Sequence, residues 1–436
     1  MTLALILVIQ LTSKRRRGLW IGLTNTGFTI GMSTGAVVFG ALLPVIGWRA
    51  LFWGQAPLGL LGGLGVYASI PSFILSSGSG SPLAPGDAEK TNLQKLRGID
   101  YAGAVTLTTS IVLLLYSLSN PTTRTGRVPF TPLCSSLLTF GLFLLIESRY
   151  ATDPIIPLRI LRSRGILLSC LSQLGFMSAR WTVLFYAPIF ALAVHGASPA
   201  LAGSILIPTN LGFGTGGLLV GWLHMTHAHG DHTSRGYWFP SLAAMGIFGL
   251  AILAMGYVSN AATHFSWYVV TIFVNGLATG AAVNYTMAHL LHLSHVREHF
   301  IVTGLLATFR GFAGSFGTAI GGGIFGRELR RSLYRGFEKL EWQEGMPMEK
   351  MEKLVTVLVG SPARVHEEGF LTSEERVVAV KGYENALRTL YLSAAALCVV
   401  VLLVQAGTGW AQGGVSEAEE REIEEAIAEH DGRMEA

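Results

Sequence analysis

Arg310 stands near the middle of residues 301–328, an apolar stretch of roughly 26 residues in which it is the only charge before Arg327. An arginine at that depth in hydrocarbon costs about 2.5–3.5 kcal/mol or more. It must therefore either be satisfied by backbone carbonyls or line a water-filled transport path. Arg180 poses the same problem in residues 165–192, beside Trp181 and two turns after Gln173. Long side chains snorkel from helix ends, not from helix centres, so Arg180 needs a buried partner or an anionic group on a substrate. In residues 267–291, Gly276, Gly280 and Asn284 recur at i+4 with Asn275 adjacent, and an asparagine in lipid must bond a neighbouring helix or a substrate. His289 follows near the end of that stretch, as a gate or proton relay or as an interfacial histidine with its bonds satisfied. A further group, His224, His227, His229, Asp231 and His232, carries zinc-compatible side chains at a spacing that matches no standard site, so no metal is expected. No catalytic constellation and no cofactor motif occurs.

The elements that hold these residues are membrane spans. Half of the 436 residues are hydrophobic and 13% charged, and the mean hydropathy of +0.48 excludes an ordinary soluble chain. Repeated apolar runs of about 20 residues call for helices and not barrel strands. The three cysteines, Cys134, Cys170 and Cys398, have no paired spacing and read as packing residues. Full spans are expected at 18–43, 51–73, 101–118, 130–146, 165–192, 201–223, 238–258, 267–291, 301–328 and 389–405. The apolar stub at 1–12 is too short to cross. Gly27, Gly31 and Gly35 share one helix face by their i+4 spacing, and Gly317 and Gly321 form a GxxxG pair; both sets predict close helix packing.

Thirteen Lys and Arg fall in the short loops of one side against three (Arg49, Arg124, Arg127) on the other, which makes the first side cytoplasmic. The expected organisation is a first helical bundle at 1–73, a cytoplasmic linker at 74–98, two extra spans at 99–150, and five spans of a second bundle at 151–326. A non-cytoplasmic hydrophilic loop at 327–388, a last span at 389–407 and an acidic cytoplasmic tail at 408–436 complete it. From Glu417 onward the tail carries nine acidic residues and two arginines.

Residues 18–60 carry Gly31, Gly35 and Gly40, then Trp48-Arg49-x-x-Phe52 and Pro57-x-Gly59. This pattern resembles the fifth and sixth spans of the major facilitator superfamily, in its fourteen-span drug:proton antiporter branch. The chain has Gly35-Ala36 and Phe39-Gly40 where that motif usually has Gly-Pro and Gly-Gly. Pro157-Leu158-Arg159, Gly196-Ala197-Ser198-Pro199, the segment from Asn275 to His289, and Phe309 to Gly317 are similar to fungal vacuolar basic amino-acid transporters. The resemblance implies an all-α major facilitator fold with about ten full spans and a partial first helix. It places the stub at the end of the family's span four, with the first three spans not in this sequence. It further implies a proton-coupled carrier, by expectation a monomer in lipid and with no nucleic-acid partner. The carrier would move basic or neutral amino acids into the vacuole, or alternatively drugs across the plasma membrane. A non-transporting membrane scaffold is the rival of another class. No Asp or Glu lies deep inside any span, so His289 is the titratable group that this chain offers to the path.

Overall fold

The computed structural model describes residues 17–69, 100–119, 129–150, 163–226, 235–294, 299–344 and 348–409. The stub at 1–12, the linker at 74–98, Pro157-Leu158-Arg159, the side chains of His224 to His232 and the acidic tail from Glu417 lie outside them.

Within these residues the chain is helical. Helix α1 covers Arg17–Ser69, α2 Tyr101–Ser119, α3 Phe130–Arg149, α4 Arg164–Ala193 and α5 Pro199–Ser204. Next come α6 Leu206–Thr226, α7 Arg235–Val258, α8 Phe265–His292, α9 His299–Glu344, α10 Met348–Gly360 and α11 Ser373–Ala406, with a 3-10 turn at Pro362–His366. Eight helices among the described residues are long and apolar enough to cross a membrane. Two differences from ten expected spans have physical causes. The residues expected as two spans, 18–43 and 51–73, fall as far as Ser69 on two helical segments of α1 that meet at a kink at Gly47, whose φ of 73° is open to glycine and strained for other residues, so that they count as one helix. Residues 301–326 are helical throughout but fall short on apolarity, because eight glycines and Arg310 dilute the run.

The second bundle is built from six helices. α6 lies tightly on α8, α8 on α7, α7 on α11, α11 on α4 and α9, and α4 on α9. Glycines set the closest of these approaches. A Cβ at Gly276 or Gly280 of α8 would overlap the carbonyl oxygens of Thr209 or Phe213 on α6, and one at Gly317 of α9 would overlap the carbonyl of Ser178 on α4. Gly321 continues that contact onto Thr182, whose hydroxyl donates to the Gly317 carbonyl at 3.0 Å. The seam expected from Gly27, Gly31 and Gly35 is different: no atom of another element among the described residues comes within 4 Å of their Cβ positions. α1 meets α5 and α6 through Ala36 and Gly40 instead, against Gly203 and Pro199. Those residues sit about 160° round the helix from the face of Gly27, Gly31 and Gly35. α2 and α3 pair with each other, and α2 rests on α9, where Arg327 donates to the Leu118 carbonyl at 3.4 Å.

The stretch at 327–388, expected as a loop with amphipathic pieces, is a folded cap. α9 runs for 46 residues, about 69 Å at 1.5 Å per residue, and so rises far beyond a hydrocarbon core of about 30 Å. Its outer half packs Leu333 and Phe337 with Leu354 and Leu358 of α10, Val365 of the turn, and Tyr383 and Leu387 of α11. Thr372 and Glu375 cap α11 reciprocally, the Glu375 amide donating to Thr372 Oγ1 at 3.2 Å and the Thr372 amide to Glu375 Oε2 at 2.9 Å. The cap seats on the turns that follow α4 and α7: His366 Nε2 donates to the Ala193 carbonyl at 3.0 Å, and the Ala261 amide to Glu384 at 2.6 Å.

Candidate functional site

The bundle has one sparsely packed internal face. α4 and α9 form one close pair and α6 and α8 another, while α4 touches α6 and α8 only thinly, as α8 does α9. Polar side chains fill that gap at two levels. α4 sets both levels, because Gln173 and Arg180 are seven residues apart and so share one helix face.

At the upper level Arg180, 4% exposed, reaches across from α4. Its Nη1 donates to Thr209 Oγ1 on α6 and to Asn275 Oδ1 on α8 at 3.0 Å. Its Nη2 lies 3.4 Å from the Thr209 carbonyl and 3.5 Å from Asn210 Oδ1. Thr209 and Asn275 are both 0% exposed. Every acceptor in this set is neutral.

At the lower level Gln173 links α8 and α9. The Thr286 hydroxyl already donates to the Ala282 carbonyl at 2.7 Å, so it accepts from Gln173 at 3.3 Å, with the Gln173 amide nitrogen turned towards it. That orientation points the Gln173 oxygen at Arg310, which donates to it through Nε at 3.1 Å and Nη2 at 3.2 Å. Arg310 is partly buried and Gln173 fully so. In the last turn of α8 His289, 0% exposed, meets Thr408 at 3.1 Å through Nε2. The Thr408 hydroxyl donates to the Gln405 carbonyl at 2.7 Å, so the imidazole N–H is the donor. His289 thereby fastens the end of α11 to α8.

Of the residues that the sequence singles out, Arg180 and Asn275 come together, Arg310 stands one level below them, and His289 lies at the end of the column. Asn284 does not join either level: its amide donates to the Gly280 carbonyl of its own helix at 2.9 Å and leans on Gly217 of α6. Thr209, Asn210 and Thr286 carry the arrangement without having been singled out. Thr209-Asn210 could have been found as a polar pair directly after Pro208 in an otherwise apolar run. Thr286 has no such signal, since a threonine in a span bonds its own helix by default.

Arg180 bridges the two helix pairs directly and Arg310 does so through Gln173, so both guanidinium groups can hold water or an anionic group and exchange partners as the pairs shift. They supply no nucleophile and no acid–base couple.

Residues 1–318 match the profile described as Major Facilitator Superfamily. The chain is 26% identical over 424 residues to the MFS-type transporter clz4 of Cochliobolus lunatus, covering 94% of this chain and 67% of that protein. It is 26% identical over 373 residues to the vacuolar membrane amino acid uptake transporter fnx2 of Schizosaccharomyces pombe, with coverage of 82% and 61%. Against the efflux pump dotC of Dothistroma septosporum it is 27% identical over 336 residues, covering 73% and 51%. The chain thus spans between about half and two thirds of the length of these curated relatives.

Proposed function

We infer a transport function from one premise: this chain belongs to the Major Facilitator Superfamily, whose matched relatives are transporters and not enzymes. It is a multi-pass integral membrane protein. Its function on this reading is secondary, proton-coupled movement of basic or neutral amino acids into the vacuole, with substrate and protons as partners. The observation that carries the reading is the sparse seam between α4–α9 and α6–α8, filled at two levels by Arg180 and Arg310 among neutral polar groups. A seam held by exchangeable hydrogen bonds between tightly packed pairs suits a carrier whose helices rock about a site near the bilayer midplane. Drug efflux at the plasma membrane is the second reading, favoured by the likeness to the efflux pump dotC.

The test is uptake by proteoliposomes holding the full chain under an imposed pH gradient, with labelled lysine, arginine and leucine beside a lipophilic cationic drug. Amino-acid uptake that collapses with the gradient, and that Arg310→Ala abolishes while the protein still inserts, supports the first reading. Drug flux without amino-acid flux selects the second. Absence of any flux overturns both and leaves a membrane scaffold.

A further inference from the structure

The upper level of the seam holds a full positive charge with no negative charge to balance it. Between residues 164 and 327 the sequence contains two carboxylates, Asp231 and Glu298, both outside the described residues, and none of the groups bonded to Arg180 is acidic. Four neutral oxygens serve Arg180, and two of them, at 3.4 and 3.5 Å, are beyond the ordinary range for an N–H···O bond.

A second observation points the same way. Asn210 and Asn275 turn their amide oxygens to Arg180, and the Nδ2 group of each is buried with no hydrogen-bond partner among the described residues. Asn210 is 3% exposed and Asn275 0%. A buried amide donor without an acceptor forfeits its hydration with nothing in return, so a protein does not keep two of them beside an uncompensated cation without reason. Two orphan donors and a guanidinium within one amide's reach of each other have the chemistry of an anion receptor.

The surrounding packing permits exchange. Arg180 crosses the sparse face between α4 and the α6–α8 pair, so a small widening of the seam frees its fork while leaving the glycine-tight pairs intact. A carboxylate entering there would replace long bonds to neutral oxygens with a charge-assisted, bidentate pair, roughly twice as strong per bond. A purely structural staple needs acceptors for Arg180. It does not need unpaired donors on the same two asparagines.

We propose that Arg180, Asn210 and Asn275 form a carboxylate subsite, in which Arg180 anchors the acid group of the transported molecule and the two asparagine amides complete its hydrogen bonds. The proposal rests on the transport reading and deepens it: the substrate carries a carboxylate, and any positive charge it has is recognised elsewhere. Arg310, one level lower and still partly open, is not the acid anchor, because the Gln173 oxygen already takes two of its donors.

The experiment compares each amino acid with the amine that lacks its carboxylate: lysine with cadaverine, arginine with agmatine, leucine with isopentylamine. The full chain, purified in detergent, is titrated with each and its melting temperature followed; the same pairs are then tested for flux in proteoliposomes. At least one acid should stabilise the protein saturably, with its amine needing about tenfold or more higher concentration, a difference of about 1.4 kcal/mol. Asn275→Ala and Asn210→Ala, which leave the arginine in place, should shrink that preference to within about twofold, as should Arg180→Gln if it folds. The proposal is overturned if the amines stabilise as well as the acids, if no acid stabilises, or if chloride alone produces the shift and no amino acid adds to it. Flux of amines equal to that of acids would sink the subsite while keeping the transport reading. Acid-selective stabilisation without any flux would keep the subsite and sink the transport reading.

Discussion

Gly276→Ala is the sharpest perturbation of the seam. The added methyl would overlap the Thr209 carbonyl oxygen and lie 2.8 Å from the Thr209 carbonyl carbon and 3.0 Å from its Cα, all backbone atoms that no rotamer change can remove. Restoring ordinary contact requires α6 and α8 to separate by roughly 1 Å, the kind of overpacking that costs about 1–3 kcal/mol. Because Arg180 bonds Thr209 on α6 and Asn275 on α8 together, the same movement stretches a fork whose outer bonds are already 3.4 and 3.5 Å long. Losing those two adds about 0.5–1.5 kcal/mol each. The expected total is about 2–6 kcal/mol. The assay is urea or thermal unfolding in detergent, with Gly246→Ala as the control. Nothing lies within 4 Å of a Cβ at Gly246, so that change should be neutral or stabilise by up to about 1 kcal/mol through helix propensity. If the two variants unfold alike, the steric account of the seam is refuted.

Three further perturbations probe other contacts. Thr182→Val removes the buried hydroxyl that donates to Gly317 at 3.0 Å and should lower stability by about 1 kcal/mol, with the α4–α9 contact otherwise kept, as read by unfolding. Thr372→Ala deletes the cap of α11 and should cost about 1 kcal/mol and make residues 373–380 exchange amide hydrogens faster; unchanged exchange would contradict the capping box. His195, in the turn after α4, has its pKa held below the usual 6.5 by burial, which outweighs Glu384, with His264 and His366 adding to the depression. The unfolded chain therefore takes up this proton first, so the stability His195 contributes is full above about pH 6.5 and is lost as pH falls below it. Melting temperatures between pH 7.5 and pH 5 should fall more steeply for the native chain than for His195→Gln, and equal slopes would exclude His195 as a source.

The fold was legible because lipid leaves so few choices. Apolar runs of about 20 residues can only be helices, and i+4 glycines on α8 and on α9 mark backbones that must touch, as Gly276 and Gly317 do. What sequence could not supply was the partner of each face. Gly27, Gly31 and Gly35 have the same spacing and meet no other element among the described residues within 4 Å, because spacing defines a face and not its neighbour. The cap was hidden for a related reason. Residues 327–388 hold eleven basic side chains, so their average polarity hides the alternate buried residues, Leu333, Phe337, Leu354 and Tyr383, that make the outer ends of α9 and α11 a core.

The candidate site was half legible, and the missing half explains itself by geometry. An arginine or asparagine inside an apolar run announces that something must answer it, so Arg180, Arg310 and Asn275 stand out from one sequence. Which groups answer depends on the depth at which antiparallel helices cross. Thr209 lies 17 residues before the end of α6 and Asn275 17 residues before the end of α8, about 25 Å in each case, while Arg180 lies 16 residues after the start of α4, about 24 Å. The three are therefore level although nearly a hundred residues separate the first from the last. The same measure puts Gln173 about 14 Å and Arg310 about 17 Å from their helix starts, a separate and lower level. Depth sorts the two arginines into different jobs: one is enclosed by neutral oxygens with unpaired amide donors around it, the other is tied to a single glutamine with a side still open.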